Sequence, residues 1–116
     1  MKVVMPYVGK DLSVNYYKVI GRGGLHTSKT KPHVTVWMKE LAEKVKGEGL
    51  QLPVTVSVFG KFVDGRCPDL DNLAKVILDA VSIGTGINDK DMRFVALGYS
   101  TGWTRPVLEI EIKGRS

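Results

Sequence analysis

The hydrophobic residues of this chain switch repeatedly between the spacing of a helix and the spacing of a strand, and that alternation most constrains its fold. Val34, Trp37, Met38, Leu41 and Val45 fall at offsets of 3, 4, 7 and 11, one apolar stripe on a helix that Gly47 is placed to stop. On its solvated side, Lys39–Glu43 and Glu40–Lys44 have the spacing of i,i+4 ion pairs. Val54, Val56 and Val58 then alternate with Thr55, Ser57 and Phe59, the period of a strand. Leu70, Leu73, Val76, Ile77, Ala80 and Val81 return to helical spacing, in a helix opened by Pro68 and Asp69 and closed near Ser82 by Gly84 and Gly86. Its outward positions are Asp71, Lys75 and Asp79, with Asn72 beside them. Residues 1–8 read as a first strand, with Pro6 marking an edge or a strand end. Residues 93–100 and 107–113 read as two last strands, and the link 101–106 predicts an antiparallel hairpin between them. The expected order is β-α-β-α-β-β, an α/β (α+β) domain with two helices packed on a mixed sheet.

At 116 residues the chain is expected to form one domain across residues 1–116. No stretch approaches the roughly 20 apolar residues of a membrane span, and the amino terminus lacks a signal-peptide pattern. The single cysteine, Cys67, excludes an intramolecular disulfide and fits a reducing cytoplasm, the expected location. With only His26 and His33 to join it, a zinc site or a thiol–imidazole pair is a poor fit.

The net charge of +5 is unevenly distributed. Residues 9–33, read as a long glycine-containing loop with a hairpin near residues 21–24, hold Lys10, Lys18, Arg22, Lys29 and Lys31 against one acid, Asp11. Residues 66–91 form an acidic segment, and six of the twelve acids lie between Asp64 and Asp91, all of them aspartates. A basic arm beside an acidic centre suits a polyanion held by cations and attacked at a metal.

The informative segment is Arg66-Cys67-Pro68-Asp69-Leu70-Asp71-Asn72-Leu73-Ala74-Lys75, followed by Asn88-Asp89-Lys90-Asp91. Magnesium prefers oxygen ligands and is commonly held by one or two carboxylates, water and substrate phosphate. If Asp69 is the capping residue, its carboxylate can turn toward Asp71, and Asp89 from the later loop can complete a three-carboxylate pocket. Each residue also has a purely structural reading. Asp69 and Asp71 suit a helix N-terminus, Asp89 and Asp91 suit a turn, and Lys75 suits an ion pair with Asp71.

Asp69-Leu70-Asp71-Asn72-Leu73-x-Lys75, with Asp79 four residues on and an acidic loop before the next strand, closely resembles the signature of the RusA family of Holliday junction resolvases. Leu12-Ser13-Val14-Asn15-Tyr16-Tyr17 and His26-Thr27-Ser28 are similar to that family's amino-terminal pattern. The resemblance implies a RusA-like fold, with Asp69, Asp71 and Asp89 as metal ligands and Lys75 as an accessory catalytic residue. It implies a homodimer that cuts two opposed strands of a four-way DNA junction, with Mg2+ as cofactor and Mn2+ as a substitute. One departure is Asn88, which stands where the family usually has the first of two adjacent acids. Asp89 aligns with the second, leaving Asp91 as a rival ligand.

On this reading the arm lysines and Arg22 neutralise phosphates, with Asn15, Tyr16 and Arg66 as further DNA contacts and Tyr16 and Tyr17 able to stack on exposed bases. Phe62 and Trp103 read as core or interface residues. Two rivals stand beside the resolvase: a non-catalytic module binding branched DNA, and a nuclease acting on flaps, forks or RNA. Asp71→Asn separates the first from an enzyme, and product mapping on a four-way junction separates the second.

Overall fold

The computed structural model describes residues 1–13, 18–20, 28–47 and 49–115. Strand β1 (Lys2–Pro6) leads to a 3-10 turn at Lys10–Leu12, and strands β2 (Lys18–Ile20) and β3 (Ser28–Thr30) pair antiparallel. Helix α1 (Pro32–Val45), strand β4 (Val54–Lys61), helix α2 (Ala74–Thr85), strand β5 (Met92–Ser100) and strand β6 (Val107–Lys113) follow. Apart from the small β2–β3 pair, this is the order expected from the periodicities. The long basic loop thus contains two short strands, and the glycine turn predicted at residues 21–24 lies outside the described residues.

The main sheet has the order β1-β6-β4-β5. Strand β4 is parallel to β5 and antiparallel to β6, and β6 is antiparallel to β1. The sheet is therefore mixed, and β1 with its Pro6 is an edge, as expected. The predicted hairpin of the last two strands is not formed, because β4 lies between β5 and β6. The excursion through α2 returns β5 parallel beside β4, which leaves the other side of β4 for β6. The link 101–106 crosses the end of β4 and is fastened to it there. Gly102 N–H donates to the Val63 carbonyl at 3.1 Å and Trp103 N–H to the Phe62 carbonyl at 3.1 Å. Gly102 has φ +90, a left-handed backbone that favours glycine, and it makes this bend.

One face of the sheet is buried. Val54, Val56 and Val58 of β4, Leu108, Ile110 and Ile112 of β6, and Val3 and Met5 of β1 share one core cluster with the apolar stripes of both helices. Every inward position predicted for the helices, from Val34 to Val81, is buried. The alternate positions Thr55, Ser57, Phe59 and Lys61 stay partly exposed. Two local expectations are corrected. Neither i,i+4 pair of α1 is made: the Lys44 ammonium donates to the Val4 carbonyl at 3.1 Å, and Glu43 lies 4.0 Å from Lys46. An exposed pair contributes so little that a nearby carbonyl can outbid it. Gly84 does not end α2 but lies inside it, where a Cβ would overlap the Ala42 carbonyl oxygen of α1. Gly86, at φ +76, is the actual stop, its N–H donating to the Ser82 carbonyl at 2.9 Å.

Candidate active site

The chain leaves β4 through residues 62–68 and reaches Asp69 in an extended conformation, φ −72 and ψ 120. Its carboxylate accepts the Asp71 N–H at 3.1 Å, so Asp69 is the capping residue. The first turn, Leu70–Leu73, is a 3-10 helix, anchored by the buried Leu70 and Leu73 and leaving Asp71 and Asn72 exposed. A 3-10 turn rotates the chain by about 120° per residue rather than about 100°. That tighter winding changes the angular relation between Asp71 and Lys75. The Lys75 ammonium sits 3.0 Å from Asp79, one α-helical turn onward, and 3.9 Å from the Asp89 carboxylate. Asp79 was legible in the sequence as the third member of the outward set, but its partnership with Lys75 was not expected.

Asp89 reaches Lys75 because the turn after α2 is pinned. Ser82 Oγ donates to the Ile87 carbonyl at 2.7 Å, Thr85 Oγ1 to the Val81 carbonyl at 2.7 Å, and Ile87 N–H to Thr85 Oγ1 at 3.2 Å. Asn88 then caps the short 3-10 turn Asp89–Asp91, its side-chain oxygen accepting the Lys90 N–H at 3.0 Å. An amide oxygen serves this capping purpose as a carboxylate would, so Asn88 keeps the geometry of the loop. Of the two loop acids, Asp89 is the one within reach of Lys75.

Asp69 also borders the sheet. With Pro68, Leu70, Ala96, Gly98 and Tyr99 it lines a shallow hollow of about 280 Å³ against β5. The predicted convergence of Asp69, Asp71 and Asp89 in one pocket is not present within the single chain. Among the described residues no three acidic, histidine or cysteine side chains lie close enough to share a metal ion. The donor set nonetheless suits magnesium, which takes hard oxygens, needs only one or two carboxylates and retains waters. Asp69, Asp71 and Asp89 are all exposed and supply such oxygens. Of the three, Asp89 already faces a positive charge, the Lys75 ammonium at 3.9 Å.

The basic arm is tied to the fold by its one acid. Asp11 accepts from the Lys31 ammonium at 2.9 Å and meets His33 Nε2 at 2.8 Å, next to the fully buried Leu12. The Lys31 hydrogen bond, and after it the one with His33, holds the Asp11 carboxyl below its ordinary range. Lys10 lies in the same 3-10 turn. Lys18 and Lys29 are placed by backbone pairing in β2 and β3, while Asn15, Tyr16, Tyr17 and Arg22 lie outside the described residues. Arg66 is almost fully exposed and binds Asp64 at 2.9 Å, which lowers the Asp64 pKa and raises that of the guanidinium.

The family model described as endodeoxyribonuclease RusA matches residues 21–113, which include the capped helix start, Lys75 and the loop acids. The chain belongs to the RusA endodeoxyribonuclease family. No curated protein matches it. The mixed sheet with two helices described above is the scaffold of this RusA-family domain, and the family supports an endodeoxyribonuclease, a hydrolase acting on DNA. Among the described residues no helix is long and apolar enough to cross a membrane.

Sequence reading did not single out a second groove of about 430 Å³ at the end of β4, lined by Tyr7, Phe62, Val63, Asp64, Arg66 and Pro106. Burial, and after it the nearby Cys67, pushes the Tyr7 phenol pKa up. No periodicity signals this groove, because it is built from three separate loops.

Proposed function

We propose that this RusA-family chain is a magnesium-dependent, structure-specific endonuclease that resolves Holliday junctions by hydrolysing phosphodiesters in two opposed strands. The setting would be DNA recombination and repair in the cytoplasm. The observation that carries the reading is the family match over a segment in which Lys75 lies beside Asp89 and one helical turn beyond the capped Asp69–Asp71 start.

Asp69, Asp71 and Asp89 would hold Mg2+, with Mn2+ able to substitute. Bound there, the cation would supply Lewis-acid charge to the scissile phosphate and lower the pKa of an attacking water. The other work falls to the protein's own groups. Lys75 orients the Asp89 carboxylate and offers positive charge to the phosphoryl oxygens as charge builds on them. Asp79 holds the same ammonium, accepting its hydrogen bond at 3.0 Å. Lys10, Lys18, Arg22, Lys29, Lys31 and Arg66 neutralise backbone phosphates, a contact that gives affinity and salt dependence but no base readout. Asn15 and Tyr16 contact the DNA from the same arm. Two cuts on a two-fold junction call for two equivalent sites, so the working unit is a homodimer.

The test is product mapping on a synthetic four-way junction and on linear duplex, with and without magnesium, for the parent and Asp71→Asn. Paired, magnesium-dependent cuts in opposed junction strands are expected from the parent. Asp71→Asn should lose them while keeping junction binding. Cleavage undiminished in Asp71→Asn refutes the site, and cutting confined to flaps, forks or RNA refutes the substrate.

A further inference from the structure

We infer that the loop of residues 101–106 is a second DNA contact, in which the Trp103 indole stacks on an unpaired base at the branch and Arg105 takes a neighbouring phosphate. This rests on the reading of the chain as a nuclease acting on branched DNA.

The chain has two tryptophans, and the structure treats them oppositely. Trp37 is 3% exposed and lies in the core. Trp103 is 44% exposed yet held on three sides. Its Nε1–H donates to Ser100 Oγ at 2.7 Å, its backbone N–H to the Phe62 carbonyl, and the Lys61 ammonium lies 4.4 Å from the ring centroid. An exposed indole fixed in this way has already lost most of its rotamer freedom, so covering it with a base costs little further entropy. Base–aromatic stacking is tolerant of sequence because every base presents a π-face.

The charges around the ring favour a polyanion. Glu109 is paired with Lys61 at 3.3 Å, and Asp64 is paired with Arg66. Arg105 is exposed, two residues from the indole, and makes no ion pair among the described residues. The position is suitable as well. The loop extends from the carboxyl end of β5 and is bonded to residues 62 and 63, on the segment that delivers Asp69 from the carboxyl end of the parallel strand β4. In open sheets with parallel strands, ligands gather at those ends. A second copy of the chain is the rival occupant, and the titration separates it from DNA.

The experiment is a tryptophan-fluorescence titration with a synthetic four-way junction and with an oligo-dT strand, without divalent metal so that nothing is cut. The parent, Asp71→Asn, Trp103→Phe, Trp103→Ala and Arg105→Ala are compared. Emission of the parent and of Asp71→Asn should be quenched as DNA binds, and that quench should vanish in both Trp103 variants. Trp103→Ala should weaken junction binding by about 5- to 150-fold, with Trp103→Phe closer to the parent. Arg105→Ala should lower the slope of log affinity against log salt by about one. The inference is overturned if saturating junction leaves the parent's emission unchanged, or if Trp103→Ala binds within twofold of the parent. It is overturned equally if Trp103→Ala only dissociates a dimer and DNA quenches no emission. A parent that binds with the Trp103 quench but never cuts a junction defeats the nuclease reading and not this contact.

Discussion

Gly84→Ala gives a test in which two physical effects predict opposite signs. Alanine is favoured over glycine inside a helix by about 1 kcal/mol, so helix propensity alone makes the variant more stable. The packing of α1 on α2 opposes this. A Cβ at Gly84 would overlap the Ala42 carbonyl oxygen, stand 2.6 Å from Val45 Cγ2 and 2.9 Å from Ala42 Cα. Two of those three atoms are backbone, so a side-chain rotation cannot relieve the crowding and the helices must move apart. Overpacking of that kind typically costs about 1–3 kcal/mol, and the backbone obstacle places this site toward the upper end. The net expectation is a loss of about 1–2 kcal/mol, or about 5–10 °C in Tm for a domain of this size. Thermal and urea unfolding followed by circular dichroism measure it. Gly49→Ala is the control, since no atom lies within 4 Å of its added Cβ, and it should change stability by less than about 0.5 kcal/mol. A Gly84→Ala variant as stable as the parent, or more stable, would refute the close approach of the helices and with it the placement of Lys75 and Asp89.

Asp69→Asn keeps a capping oxygen and Asp69→Ala does not, so both should lose magnesium-dependent cleavage while Asp69→Ala alone loses about 1 kcal/mol in urea unfolding. If both unfold like the parent, Asp69 is not the cap. Lys75→Met should cut at least about tenfold more slowly in single-turnover assays, because positive charge beside Asp89 is gone. Its stability should fall by no more than about 0.5 kcal/mol, as the Lys75–Asp79 pair is partly exposed. The Asp11 carboxyl is held below its ordinary value of 3.8, so its partners stabilise the fold above that value and stop doing so as pH falls through the lowered one. The stability difference between the parent and Asp11→Asn should therefore be fully present at about pH 5 and close below about pH 3.8, as read from melts across acidic pH. A difference that persists unchanged at pH 2 would contradict the ionic bonding to Lys31 and His33.

Much of this protein was determined by its sequence alone. The helical stripes from Val34 to Val45 and from Leu70 to Val81, and the alternation of Val54, Val56 and Val58, fixed element type and inward face. Burying apolar area leaves one orientation for each amphipathic segment. The Asp69-x-Asp71-Asn72 start and the basic arm were equally legible, since short motifs and charge are local properties, and they led to the family that the comparison then showed. Tertiary structure alone decided which elements became neighbours. Periodicity gives each strand a face but no partner, so the insertion of β6 between β1 and β4 could not be read from the last two strands. The same limit applies to single side chains. Gly84 has the sequence signature of a stop but packs against the Ala42 carbonyl, Lys75 meets Asp79 and Asp89, and Trp103 stays half-exposed over Lys61. Each depends on atoms brought together by contacts across the fold, and those distances are properties of the packed whole.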